Sequence, residues 1–199
     1  IDLQKYLSGK QATVSLEIGN FESEIAGITT PKDLPTLMEL LYMTMTDVTI
    51  TEDDFKALQS KYAGVLRNQE SNPQYIFGRD VAKSLFANPR RLPITSEEVE
   101  AANRENILTI IHDATSNAAD YTFVFVGNID MDTFRPLAEQ YIATLPADAS
   151  KAAKEVKIDK NLVIRDGKIN DTYTTKMETP QTYAVVMATA EVPYNAKNA

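Results

Sequence analysis

The segment Tyr121–Asp130 shows the clearest alternation of side-chain types in the chain. Its residues, Tyr-Thr-Phe-Val-Phe-Val-Gly-Asn-Ile-Asp, place Tyr121, Phe123 and Phe125 on one side of an extended backbone, because successive side chains of a strand point to opposite faces. Both faces are mostly apolar, so the pattern predicts a buried strand with a helix covering at least one side. We expect a glycine turn to end the strand and Asp130 to cap the next helix.

The first part of the chain predicts a β-hairpin followed by a helix. Ala12–Ile18 is typical of a strand, a Gly-Asn turn follows, and Phe21–Ile28 is typical of its partner strand. Thr30 is a good N-cap for the helix and Pro31 suits its first position. The apolar residues of this helix recur at helical spacing: Leu34, Leu37, Met38, Leu41 and Met45.

Further helices are predicted from the same spacing. One starts near Thr51 and ends before Pro73, another follows Pro73, and one helix or a broken pair runs from Thr95 to about Ala114. In the first of these, an apolar stripe is expected to face the core: Phe55, Leu58, Tyr62 and Val65. In the helix that Asp130 caps, five residues are expected to face inward: Met131, Phe134, Leu137, Tyr141 and Ile142.

Composition excludes several classes of function. The 199 residues carry a net charge of −8, which disfavours nucleic acid or an anionic membrane as a partner, since phosphate binding needs clustered Lys and Arg. There is no cysteine, so disulfides and thiol catalysis are excluded. No apolar run approaches the ~20 residues of a membrane span, so no membrane insertion is expected. The chain starts at Ile1 rather than Met, which suggests a fragment or a processed product.

The C-terminal part differs in character from the rest. Residues 147–168 form a charged stretch that we interpret as a linker, although Val156–Arg165 could be a strand. Residues 169–199 contain β-type segments around Thr172–Met177 and Tyr183–Val192. We expect residues 1–146 to be the latter part of one domain and residues 169–199 to be the first strands of another.

Few residues suggest chemistry of their own. His112 is the only histidine; near a helix end it is more typical of a cap or a surface residue than of a metal ligand. Asp130 and Asp132 form a D-x-D pair that could bind a divalent cation, but they stand where a helix cap and a first-turn acid belong. Arg90 and Arg91 could grip a carboxylate, although a solvated loop is favoured.

The remaining acidic clusters are expected to be solvated helix starts: Asp53, Asp54, Glu97, Glu98 and Glu100. Nothing in the sequence suits a phosphate-binding glycine loop or a serine hydrolase. No residue is therefore assigned a catalytic, metal-binding or substrate-binding role.

Five stretches together resemble the family of zinc peptidases that includes insulinase, pitrilysin and the mitochondrial processing peptidases. They are Gly27–Leu37, Leu40-Leu41-Tyr42, Asn72-Pro73, Asn88-Pro89-Arg90-Arg91 and Tyr121–Asp130. The resemblance spans most of residues 8–146 and is greatest to the long, four-domain bacterial members. It implies an α+β fold with an antiparallel-type sheet backed by helices. It also implies two halves that close around an unfolded peptide.

In that family, zinc is held by an inverted H-x-x-E-H helix and a more distant glutamate, and the glutamate of the motif acts as base toward zinc-bound water. This sequence has no H-x-x-E-H. The distant glutamate belongs to an E-x6-E pair, which falls on Leu58 and Val65 here. The resemblance therefore implies no cofactor in this segment, zinc in the catalytic half of a parent chain, and a domain truncated at its N-terminal side.

Two functions follow from the resemblance. The first is a non-catalytic module of a zinc-dependent endopeptidase, inactive alone, whose partners are peptide or unfolded protein and the catalytic half of the same parent. The second is a structural or assembly subunit with an inactive peptidase fold. The bacterial look-alikes suggest the periplasm or cell envelope as the location of the parent.

Overall fold

The computed structural model describes residues 2–152, 162–176, 179–190 and 195. The chain forms two compact units. The first comprises the described residues of Ile1–Tyr62 and Glu97–Ile158, and the second those of Ala63–Ser96 and Asp159–Ala199. Within the described residues, no helix combines the length and the apolar character that crossing a membrane would require.

The first unit contains the predicted hairpin. After helix α1 (Asp2–Tyr6), strands β1 (Ala12–Ile18) and β2 (Ser23–Thr29) pair antiparallel, with Ala12 opposite Thr29. The second strand starts two residues later than expected because the turn extends to Glu22, whose carbonyl accepts a 2.9 Å hydrogen bond from the Gly19 N–H. In the described residues this pair is the whole hydrogen-bonded sheet, and the α+β class is confirmed.

Helix α2 (Leu34–Thr46) begins one turn later than predicted. Residues Pro31–Asp33 form a 3₁₀ turn, and the Thr30 side chain makes no bond to a helical N–H. Instead, Asp33 accepts a 2.9 Å hydrogen bond from the Gln11 N–H and a 3.2 Å bond from the Thr30 hydroxyl. The Gln11 bond is the main reason that the pKa of Asp33 is lowered. The start of α2 is thereby tied to the start of β1.

The core of the first unit lies along α2. Met38 is fully buried, and Leu37 and Leu40 cluster with Ala12 of β1. A second cluster combines residues of α2 with the chain around residues 118–145: Leu41, Met45, Ala118 and Leu145. The apolar spacing predicted for α2 is thus confirmed, since its apolar positions supply both clusters.

Three further helices have the predicted bounds to within a few residues. Helix α3 (Glu52–Glu70) is capped by Thr51, whose hydroxyl oxygen accepts a 3.1 Å bond from the Asp54 N–H. The region after Thr95 is a broken pair, α5 (Ser96–Glu100) and α6 (Arg104–Thr115). The break is stable because the Asn103 side chain accepts a 3.0 Å bond from the Asn106 N–H.

The segment Tyr121–Val126 is extended but forms no ladder with the described residues. Its odd-numbered residues pack on the core, whereas Thr122, Val124 and Val126 are exposed. The predicted alternation is therefore confirmed, but the predicted burial of both faces is wrong. Alternation of side chains along a strand predicts which face packs on the core. It does not predict whether a second layer covers the other face.

Helix α7 (Met131–Leu137) continues into a π turn, Ala138–Ile142, closed by a 2.9 Å bond from the Ala143 N–H to the Ala138 carbonyl. Phe134 meets the Phe125 ring edge-on at 4.9 Å, and the Tyr141 ring lies 6.1 Å from Tyr42. Met131, predicted to face inward, is exposed, because it is the first residue of the helix and precedes the turns that meet the core.

The second unit is built around α4 (Pro73–Leu85), capped by the Asn72 side chain, which accepts a 2.9 Å bond from the Gln74 N–H. The C-terminal tail packs along this helix: Tyr183 stacks on Phe77 at 5.2 Å. Residues 162–176 and 179–190 contain no assigned strand, and residues 153–161, 177–178 and 191–194 lie outside the described part. The domain boundaries at 146 and 169 stay predictions.

Candidate functional site

The residues that could have bound a metal are not brought together. His112 is exposed in the last turn of α6, and its Nδ1 lies 3.9 Å from the Asp113 carboxylate. Across the residues that the structure describes, no three His, Cys, Asp or Glu side chains converge as a metal site requires. His112 is therefore a surface residue, one of the two roles that its position near a helix end favoured.

The D-x-D pair serves the start of α7. One carboxylate oxygen of Asp130 accepts a 2.6 Å bond from the Thr133 hydroxyl, and the other accepts a 3.3 Å bond from the Asp132 N–H. The Thr133 bond is the main cause of the lowered pKa of Asp130. A carboxylate engaged by the helix terminus in this way is a cap, so the capping interpretation is confirmed.

The other charged candidates also have structural positions. Asp53 and Asp54 lie in the first turn of α3, and Asp54 accepts a 2.7 Å bond from the Thr51 hydroxyl. Arg90 and Arg91 lie in a 3₁₀ turn, and the Arg91 guanidinium sits 4.6 Å from the centre of the Phe86 ring. No described carboxylate lies within ion-pair distance of either arginine. The predicted solvated loop fits these observations. The acidic residues of α5, Glu97, Glu98 and Glu100, are exposed, as expected of a solvated helix start.

The two positions that the resemblance matches to the E-x6-E pair, Leu58 and Val65, lie on α3 and are accessible. The Leu58 side chain is 55% exposed and Val65 is 48% exposed. An aliphatic side chain offers no electron pair to a metal, so these residues do not fit zinc. The prediction that Leu58, Tyr62 and Val65 form a core stripe is wrong: all three are exposed.

The face of α3 that does pack is partly polar. Gln59 uses its side-chain amide to donate to the carbonyls of Val99, Glu100 and Ala102 at 2.9, 3.1 and 3.1 Å. One turn later Ala63 is 1% exposed. Hydrophobicity alone does not predict that this face is buried. Gln59 and Ala63, which pack, are less hydrophobic than Leu58 and Val65, which are exposed.

At its end α3 makes a second polar contact. Glu70 accepts two bonds from Ser96, 2.8 Å from the N–H and 2.6 Å from the hydroxyl. The Ser96 hydroxyl bond is the main reason that the pKa of Glu70 is lowered. The spacing of 26 residues between these partners is the kind of long-range contact that no local sequence signal predicts.

The result is an exposed apolar row on α3, formed by Leu58, Tyr62 and Val65 and called here the α3 stripe. These side chains are spaced by four and three residues, so they lie on one face of the helix. An exposed row of this kind suits contact with apolar side chains of another polypeptide. Two of its three side chains, Leu58 and Val65, are aliphatic and can neither transfer a proton nor attack a carbonyl, so we consider the stripe as a binding surface.

No protein-family model and no characterised protein matches the sequence, whereas solved structures match the fold. The ferredoxin protease FusC, solved as a point mutant in complex with Arabidopsis ferredoxin, aligns with a TM-score of 0.61 and 20% identity over 81% of this chain. The periplasmic protease PqqL from Escherichia coli aligns with a TM-score of 0.63 and 18% identity over 82% of the chain.

A third structure, of an M16-like peptidase from Alicyclobacillus acidocaldarius, aligns with a TM-score of 0.52 and 17% identity over 74% of the chain. The present chain spans only 17% of FusC, 18% of PqqL and 35% of the third protein. These proteins are M16 peptidases, so this chain shares the fold of a segment of such a peptidase.

Proposed function

We propose that this chain, which has the insulinase and pitrilysin peptidase fold, is a non-catalytic module of a zinc-dependent endopeptidase. In this role it helps to close a substrate chamber and contacts the peptide within it. Zinc and the catalytic residues belong to the other half of the parent protein. The observation that carries the proposal is the alignment of more than four-fifths of the chain with less than one-fifth of two proteases.

The side chains at the corresponding ligand positions support a module without chemistry of its own. Leu58 and Val65 occupy the places that the resemblance assigns to the E-x6-E pair, and neither can bind zinc. His112, which could, is exposed on a different helix. Peptide hydrolysis at a zinc centre requires three protein ligands and a bound water, and the described residues bring no such set together.

The α3 stripe is the surface that we assign to substrate contact. In the catalytic domains that this chain resembles, the same helix positions carry side chains directed at the reaction centre. Here they present apolar groups, which suit the exposed hydrophobic side chains of an unfolded polypeptide. The complex of FusC with ferredoxin is consistent with a polypeptide as the ligand of proteins with this fold.

Activity of the purified chain tests the non-catalytic role. The 199-residue protein is incubated with zinc and fluorescently labelled β-casein, an unfolded protein, and cleavage is followed by gel electrophoresis. We expect intact casein with or without EDTA. Casein fragments that appear with zinc and disappear with EDTA would overturn the proposal, since the chain would then hold a metal centre of its own.

Binding of the same labelled casein, measured by fluorescence anisotropy, tests the substrate surface. Leu58→Asp places a charge in the α3 stripe and is expected to weaken binding about tenfold, because burying a carboxylate against apolar groups is unfavourable. Ser60→Asp adds the same charge to an exposed position of the same helix and is the matched control. Equal loss in both variants would indicate a general charge effect and contradict the assignment.

The alternative function, a structural subunit, also accounts for the exposed α3 stripe. An exposed apolar stripe is also what an assembly interface presents before its partner is bound. Absence of casein binding by the folded chain would favour this alternative. As for location, PqqL is a periplasmic protease, which supports our proposal of a periplasmic or cell-envelope parent.

A further inference from the structure

The dipeptide Asp166-Gly167 forms an exposed bend in the second unit, next to the C-terminal end of α4. Just before the bend, the Arg165 N–H donates a 2.8 Å hydrogen bond to the carbonyl of Leu85, the last residue of α4. The Arg165 guanidinium donates a 3.2 Å bond to the Ser84 carbonyl. The chain is therefore held on one side of the bend, while the bend itself lies in solvent. What we infer for this dipeptide does not depend on the function proposed above.

The chemical stability of an aspartate depends on the residue that follows it. A side chain on the following residue shields its backbone nitrogen from the aspartate carboxyl group, and glycine has no side chain. Of the seven glycines in the chain, only Gly167 follows an Asp or an Asn. The sequence therefore contains this reactive pair at one position, and the structure decides whether the pair is free to react.

The structure leaves both reacting groups of this pair free. Gly167 has a φ of +90°, and a Cβ added to it would meet no atom within 4 Å. In the part of the chain that the structure describes, no hydrogen bond or ion pair engages the Asp166 carboxylate, and no hydrogen bond engages the Gly167 N–H. The carboxyl carbon and the backbone nitrogen can therefore approach each other without breaking a contact of the fold.

We propose that Asp166 is a site of spontaneous modification, at which the folded chain forms isoaspartate through a cyclic imide. The Gly167 nitrogen attacks Cγ of the protonated Asp166 side chain. The N–Cγ bond forms, the amide proton and a carboxyl hydroxyl leave together as water, and a five-membered ring results. Water then opens the ring. Addition at Cγ restores aspartate, whereas addition at the main-chain carbonyl carbon breaks its bond to nitrogen and leaves the chain linked through Cγ.

The product of this reaction is an isomer of the original chain. One water is released and one is taken up, so the mass does not change and no oxidant or cofactor is consumed. The main chain gains one carbon, Cβ, between Arg165 and Gly167, and the free carboxylate is now attached to Cα. Protein isoaspartyl methyltransferases esterify this carboxylate. A modified, exposed bend is therefore a substrate for enzymes of that class, and such an enzyme can report the product.

Peptide mapping of the aged protein tests the proposal. The folded 199-residue chain is kept in warm, mildly acidic buffer, and samples are digested with a protease that cleaves after lysine. Digestion releases residues 161–168, which contain Asp166, separately from residues 169–176, which contain Asp171. We expect a second peak of unchanged mass to grow for the first peptide, and isoaspartyl methyltransferase to label that peak. Asp171 is the internal control, because it is also exposed but precedes the β-branched Thr172.

Two substitutions test the reaction itself. Asp166→Glu keeps the charge, but attack by the Gly167 nitrogen would then have to form a six-membered ring, so the new peak should be absent. Gly167→Ala places a methyl group beside the attacking nitrogen and should slow the reaction several-fold. Circular dichroism checks that each variant is folded. A labelled peak that persists in Asp166→Glu would overturn the proposal, and so would equal conversion at Asp171.

A synthetic peptide of residues 161–168 tests the contribution of the structure. The peptide has no fold to restrain it, so it gives the rate of an unprotected Asp-Gly pair in the same buffer. Because the bend is exposed and both reacting groups are free, we expect the folded chain to react within an order of magnitude of the peptide rate. A folded chain that reacts more slowly than that would show that the fold blocks the attack, and this result would overturn the proposal.

Discussion

Gly27 of β2 and Leu37 of α2 approach so closely that no side chain fits at residue 27. A methyl group added to Gly27 would stand 2.7 Å from Cδ1 of Leu37 and 3.4 Å from the Thr13 carbonyl oxygen. Leu37 is buried in the cluster with Ala12 and Leu40, so it has little room to move. This contact sets the distance between the hairpin and the helix that supplies most of the core.

Gly27→Ala is therefore expected to destabilise the protein by about 1–3 kcal/mol, as overpacking of a close-packed core does. Urea denaturation measures the change in the free energy of unfolding. Combining it with Leu37→Val, which removes the colliding methyl group, should recover part of the loss, and a double-mutant cycle reports the coupling.

The control for this substitution is Gly78→Ala. Gly78 lies inside α4, and an added methyl group there meets nothing within 4 Å. Since alanine is the better helix former, Gly78→Ala is expected to stabilise by roughly 0.5–1 kcal/mol. Destabilisation by both substitutions to a similar degree would show that Leu37 is not the cause of the first effect.

Burial along the helices predicts a sharp contrast between truncating a buried apolar side chain and truncating exposed ones. Met38→Ala removes a side chain with 0% exposure and is expected to cost about 2–5 kcal/mol. Leu58→Ala and Val65→Ala shorten exposed side chains and are expected to cost less than about 1 kcal/mol. Thermal unfolding followed by circular dichroism compares the three. A cost above about 2 kcal/mol for Leu58→Ala would restore the core stripe that the sequence suggested.

This contrast shows what the sequence can and cannot predict. The hairpin, the helix start near Thr51 and the cap at Asp130 follow from local signals, because caps and turns depend on residues a few positions apart. The inward face of α3 could not be predicted, because Gln59 is held there by carbonyls 40 and 41 residues away. The lack of a ladder between Tyr121–Val126 and the other described residues could not be predicted either, because strand pairing depends on the neighbouring strand as well as on the strand itself.

The bond between Ser96 and Glu70 predicts a pH dependence of stability. The pKa of Glu70 is lowered in the folded protein from its ordinary value of 4.5. Its bonds therefore contribute fully above that value, and the contribution is lost as the pH falls through the lowered folded pKa. Ser96→Ala removes the hydroxyl bond and should lower the melting temperature at neutral pH, with a difference from wild type that shrinks in acid.

Ser60→Ala is the control for that comparison, since Ser60 is an exposed serine on α3. Its melting temperature should follow the wild-type curve at every pH. A Ser96→Ala difference of the same size at neutral and acidic pH would show that Glu70 is not the partner responsible.

The π turn at Ala138–Ile142 fixes the length of the chain in this region. A π turn holds one residue more than an α-helical turn, and one residue corresponds to about 100° around a helix axis. Deleting one residue from this turn would rotate the side chains that follow it by that angle. Tyr141 would then no longer contact Tyr42, and Ile142 would face solvent. The solvent-facing turns of this molecule can tolerate insertions and deletions. Between Leu137 and Ala143, in contrast, the number of residues determines which side chains face α2.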